Sequence, residues 1–179
     1  MKFLKFNPKE KEIALLSEGN TDCVIRAIML AMNTSKALKA AKEPDASEPF
    51  VTWEEAYDLA CKKGREIYAM PDTFDVLDAI LADMGYTFIE YTGTAAKLAE
   101  DYPVGCLILD MPLHNAALIN GVLHDTEDCG RRKLYGFWDN PDERAKLEKI
   151  HKDEAIEEPK ARRRGHTEKK RVFIHPDVV

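Results

Sequence analysis

The sequence predicts an α+β fold in which helices come first and an antiparallel sheet follows. Three observations carry that reading. Apolar residues recur at helical spacing as far as Gly85. From Tyr86 onward the period shortens to that of strands, in "YTFIEY" and "GCLILDM". "ALINGVL" then sets Asn-Gly between apolar residues, the strongest short-range signal for a two-residue hairpin turn.

Each element has a local justification. Asn20 or Thr21 can cap a helix running to about Met32, within which Arg26 is the only charged residue from 23 onward. A helix apolar on nearly all sides is a buried one. "NTSKALKAAKEPDASEPF" continues as helix-permissive chain and then becomes a Pro/Ser/Asp connector. "TWEEAYDLACKKG" carries a capping box in Thr52 and Glu55, with Gly64 as its stop. Its stripe of Trp53, Ala56, Tyr57, Ala60 and Cys61 is expected to face the core, which makes Cys61 a core residue. "DTFDVLDAILADMG" repeats the logic: Asp72 or Thr73 caps, Phe74, Leu77, Ile80, Leu81 and Met84 form the stripe, and Gly85 stops the helix.

The strands follow at residues 86–91, 105–111, the hairpin about Asn120-Gly121, and 132–138, with a short helix over "GTAAKLAEDYP" ended by Pro103. "GCLILDM" is apolar without alternation and should be a buried central strand.

Composition bounds the rest. The chain has 179 residues, 45% of them hydrophobic, and a net charge of −6, so no global basic field recruits nucleic acid or an anionic membrane. Without a membrane-spanning run or a signal-peptide core, a cytoplasmic protein is expected. Cysteines at 23, 61, 106 and 129 contain no C-x-x-C pair, which argues for free thiols and against a zinc ribbon. Residues 1–138 hold 22 acidic and 15 basic side chains; residues 139–179 hold 10 and 11. The acidic balance therefore belongs to a domain spanning 1–138, and 139–179 reads as a charged, partly helical C-terminal extension in which "RVFIHP" can dock back as a strand. The basic run between Lys160 and Arg171 lacks interleaved aromatics, so it is read as solvent-facing and nucleic acid is not an expected partner.

The chemistry centres on "GNTDCVIRAIML". It puts Cys23 at a helix N-terminus, where unpaired N–H groups and the helix dipole favour a thiolate. In the hairpin, Ile119 should pair with Val122, Ala116 with Asp125 and His114 with Glu127. His114 and Asp125 then share a face as diagonal neighbours across the small Ala116, whereas His124 points to the opposite face and Asp128 has the wrong parity. A thiol, an imidazole and an orienting carboxylate are the components of nucleophilic acyl transfer. The Cys23 backbone N–H would be one oxyanion donor, with Asn20, Thr21 or Ser17 as candidates for a second. A metal site made of His114, His124, Asp125 and Cys129 is disfavoured by the same parity, and no metal or cofactor is expected. Arg26 is expected to pair with Asp22 one turn earlier, a modest surface-type interaction.

This order of residues resembles the papain-like cysteine peptidase superfamily. More narrowly, "TDCVIRAIMLA", "TWEEAYDLA", "YPVGCLILDMPLHNAALINGVLHDTED" and "KLYGFW" look like a group of small phage and bacterial proteins with a D-C-x-x-R-A helix and an H…G…D-T hairpin, over residues 15–138. The resemblance implies a papain-like fold and a phage-encoded thiol protease or isopeptidase working in the host cytoplasm on a protein or peptide. It gives Cys23 as nucleophile, His114 as general base and acid, and Asp125 as orienting group. Where many papain-like enzymes carry a glutamine six positions before the cysteine, this chain has Ser17. Two alternatives use the same fold: a thiol acyltransferase, if an amine resolves the acyl-enzyme, and a catalytically inactive module that binds a host protein.

Overall fold

A computed structural model of the chain describes residues 1–6, 22–42 and 49–161. The elements run β1 (Lys2–Lys5), α1 (Asp22–Lys42), α2 (Trp53–Ile67), α3 (Phe74–Asp83), β2 (Thr87–Glu90), α4 (Ala95–Asp101), β3 (Cys106–Met111), β4 (His114–Ile119), β5 (Val122–Asp125), β6 (Gly136–Asp139) and α5 (Pro141–Ala161). The fold is α+β. The six strands form one sheet in the order β1-β5-β4-β3-β6-β2.

The sheet is mixed, which corrects the expectation of an antiparallel one. Lys2–Lys5 pairs in parallel with Val122–Asp125, and every other pairing is antiparallel. The alternation in "KFLK" is too short to read from pattern alone, so its pairing is a tertiary effect. β3 lies between β4 and β6, and its first four residues after Gly105 are buried, as the apolar run required.

Two apolar layers sandwich the sheet. On one side α1, α2 and α3 pack against Cys106, Ile108, Ala117, Ile119 and Trp138. On the other, α4 and the 129–134 segment cover Leu107, Leu109, Met111, Leu118 and Phe137. Alternate residues of β3 and β4 thus serve opposite layers, which is the period-2 rule of a strand buried on both faces.

Several helix boundaries differ from the sequence reading. α1 continues ten residues past Met32, through the stretch that was only helix-permissive. Asn33 accounts for part of this: its amide is buried and exchanges two hydrogen bonds with the Val51 backbone, tying the helix to the segment before α2. The Thr52–Glu55 capping box opens α2 as expected. Gly64 does not end it. The helix runs to Ile67 and stops at Tyr68, whose φ of 59° is left-handed. Gly64 is required instead for close approach, because an added Cβ would meet the Ala69 carbonyl oxygen at 2.5 Å. With the core face of α2 formed by Trp53, Ala56, Ala60 and Gly64, Tyr57 is left exposed and Cys61 half-buried. Phe74, at the open first turn of α3, is also exposed rather than core.

α5 begins directly after β6. Its first turns dock through Arg144 to buried Asp139, through Glu143 to Ser35 and Tyr86, and through buried Leu147. The segment "RVFIHP" and the basic run beyond Ala161 lie outside the described residues. No helix among the described residues is long and apolar enough to cross a membrane.

Candidate active site

The hairpin forms with the expected register next to the turn, but the ladder ends before the expected Ala116–Asp125 and His114–Glu127 pairs. Asn120 and Gly121 both have positive φ, at 48° and 74°, the signature of a type I′ turn. Ile119 pairs with Val122, Leu118 with Leu123 and Ala117 with His124. One further step along the ribbon puts Asp125 on the face of Leu123 and His114 on the face of Ala116. Their side chains meet: His114 Nε2 lies 2.6 Å from Asp125 Oδ2.

The other carboxylate oxygen, Oδ1, accepts the Thr126 backbone N–H at 2.7 Å and faces Arg26 Nη2 at 3.7 Å. Asp125 is almost fully buried. Burial alone would raise its pKa, but the bonds from His114, Cys129 and Thr126 together hold it below the ordinary carboxylate range. For His114, burial opposes the charged ring. The bond to Asp125, with smaller contributions from Cys129 and Cys23, overcomes this and raises its pKa well above that of a free imidazole.

Cys23 reaches the site from the first turn of α1. Its thiol lies close enough to the His114 imidazole to help raise the ring's pKa. Cys23, His114 and Asp125 are thus brought together at the end of the sheet, where α1 begins, β4 starts and β5 stops. The Cys23 side of the cluster is closely packed, with the residue 6% exposed. Cys23 is the second residue of the helix, among the first four whose N–H groups find no acceptor within the helix itself. Ser17, Asn20 and Thr21 lie outside the described residues.

Two further residues join the cluster. Arg26 does pair with Asp22, at 3.2 Å, but the pair is not a surface one: both side chains are at least nine-tenths buried, and the guanidinium continues to Asp125. The i,i+4 spacing gave the first partner; the second depends on where the hairpin lands. Burial raises the Asp22 pKa, Arg26 lowers it, and the nearby Asp125 charge raises it again. Cys129 is the other. Asp128 Oδ1 accepts the Gly130 N–H, turning the chain so that the buried Cys129 sulfur stands within 4.8 Å of donor atoms of both His114 and Asp125. No strand parity predicts this, because β5 has already ended at Asp125.

His124 faces away, as the alternation demanded. It is buried, its Nδ1 has no hydrogen-bond partner among the described residues, and burial lowers its pKa to about 4. A cavity of about 550 Å³ lies elsewhere, at the C-terminal end of α2, lined by Cys61, Gly64, Tyr68 and Met70 among others. None of the three clustered groups borders it. Comparison of the chain with family models, with curated proteins and with solved structures finds no match.

Proposed function

We propose that this chain is a papain-like thiol hydrolase that cleaves a peptide or isopeptide bond with Cys23 as nucleophile, His114 as base and acid, and Asp125 as orienting group. One observation carries the reading. A single imidazole is bonded on Nε2 by a buried carboxylate, and a thiol at a helix N-terminus lies near enough to the same ring to shift its pKa.

The chemistry follows from that arrangement. Asp125 fixes the ring plane and favours imidazolium, which is the counterion a Cys23 thiolate needs. The thiolate attacks the substrate carbonyl carbon, and the developing oxyanion is met by the Cys23 backbone N–H. His114 then passes its proton to the leaving amine, and the C–N bond breaks to leave an acyl-thioester. Water, deprotonated by His114, attacks that thioester; the acid product leaves and the thiolate–imidazolium pair is restored. An amine in place of water would make the same site an acyltransferase.

Covalent labelling tests this. The protein is treated with iodoacetamide at neutral pH, and the modified cysteine is mapped by mass spectrometry. Accessibility alone favours half-buried Cys61 over buried Cys23. Faster labelling of Cys23, lost in His114→Ala, is therefore the expected result; labelling that follows exposure would remove the proposal.

The tight packing around Cys23 favours one second reading, an inactive papain-like module that binds a host protein. It predicts partner capture that survives Cys23→Ala, together with no preferential labelling of Cys23.

A further inference from the structure

We infer that His114, Asp125 and Cys129 also form a binding site for a zinc-like divalent cation, and that occupancy switches the thiol site off. The switching, though not the binding, rests on the function proposed above. One ligand atom from each of these residues lies within 4.8 Å of the other two. Zinc bonds of about 2.0–2.3 Å put donor atoms roughly 3–4 Å apart. Movements of about an ångström therefore close the three around an ion. The set of one nitrogen, one oxygen and one sulfur is borderline-soft and matches zinc far better than magnesium or calcium.

Burial and charge support the same ion. Asp125 and Cys129 are buried and His114 is partly so, leaving little hydration to remove from the donors. Asp22 and Asp125 contribute two formal negative charges against the one positive charge of Arg26. Arg26 approaches Asp125 through Oδ1, whereas His114 bonds Oδ2, so the cation can take the oxygen remote from the guanidinium.

Binding displaces two protons to solvent, one from the Cys129 thiol and one from the imidazolium. It also parts the 2.6 Å contact between Nε2 and Oδ2. A ring ligated to the ion can no longer shuttle a proton for Cys23. The ion and the triad thus compete for one imidazole. Cys23, although it lies near that ring, is not one of the mutually close donors.

The test uses the full-length, metal-free protein titrated with Co²⁺ and Zn²⁺ alone. One equivalent should bind, with a thiolate-to-cobalt charge-transfer band. Cys129→Ser should lose the band and bind zinc at least tenfold more weakly, His114→Gln should weaken zinc binding similarly, and Cys23→Ser should keep both properties. Circular dichroism checks the fold of each variant. Absence of stoichiometric binding to the wild type, unchanged affinity in both Cys129→Ser and His114→Gln, or a band that follows Cys23 overturns the site. One equivalent of zinc should slow iodoacetamide labelling of Cys23 at least tenfold in the wild type and not in Cys129→Ser; equal slowing in both overturns the switch. Should Cys23 show no preferential labelling before zinc is added, the hydrolase reading fails while the cobalt band still reports on the metal site.

Discussion

Arg26 bridges two buried carboxylates, its guanidinium 3.2 Å from Asp22 and 3.7 Å from Asp125. The helix that supplies the thiol is therefore tied by charge to the strand that supplies the acid. Removing the cation leaves two acids facing each other out of water. Arg26→Gln is expected to cost about 3–5 kcal/mol, the usual consequence of orphaning a buried ion-pair partner. In Asp22→Asn/Arg26→Gln the loss should be smaller than the sum of the single losses, because the residues share one network. Urea unfolding of the three variants measures both. Strict additivity would mean that the two charges do not communicate.

Two histidines give the stability of the fold opposite pH dependences. The folded-state pKa of His114 is raised, so its contribution is complete below the unfolded value of about 6.5 and is lost as pH climbs through the folded value. Asp125 has a lowered folded value, so its part is present above about 3.9 and is lost as pH falls. His124 is held neutral, with its pKa lowered from 6.5 to about 4. Its contribution is full above 6.5 and drains away toward pH 4, by on the order of 3 kcal/mol. His124→Gln should accordingly flatten the stability curve between pH 6.5 and 4, and His114→Asn should flatten it above 6.5. Chemical denaturation across the pH range reads out both slopes. If the acid slope survives in His124→Gln, the neutral buried ring is not its source.

The elements most legible in the sequence were those fixed by local rules. The Thr52–Glu55 box, the Asn120-Gly121 turn and the alternation that pairs His114 with Asp125 each depend on residues close in the chain or on one simple ladder. What escaped depends on distant partners. β1 acquires its meaning only from β5, Gly64 from the carbonyl of Ala69, and Cys129 from a turn beyond the strand. Arg26 was half legible: helical spacing identified Asp22, but its depth and its second acid come from packing.

Leu113 sits next to His114 with a φ of 57° and 95% of its surface exposed. Pro112 fixes the preceding φ near −65°, so the pair makes the turn class that prefers glycine or asparagine second. A leucine there bears about 1–2 kcal/mol of left-handed strain and gains almost no burial in exchange. Leu113→Asn should raise stability by about 0.5–1 kcal/mol. Leu113→Gly should gain less, since glycine also frees the unfolded chain. Thermal unfolding ranks the three proteins, and a destabilised Leu113→Asn would show that the side chain makes a contact its exposure conceals.

Gly64 supports the opposite kind of prediction. A glycine inside a helix is ordinarily improved by alanine, by close to 1 kcal/mol. Here the new methyl would stand 2.5 Å from a backbone oxygen that cannot rotate away, because Ala69 N–H is itself bonded to the Gly64 carbonyl at 2.8 Å. Relief requires prising the left-handed Tyr68 turn off α2. Gly64→Ala is expected to lose about 1–3 kcal/mol, the range for overpacking a closed site. Its effect should be local: hydrogen exchange should quicken at the amides of Tyr68 and Ala69, while β4 and β5 stay protected. A stabilised Gly64→Ala would mean that the helix ends at glycine after all, as its sequence first suggests.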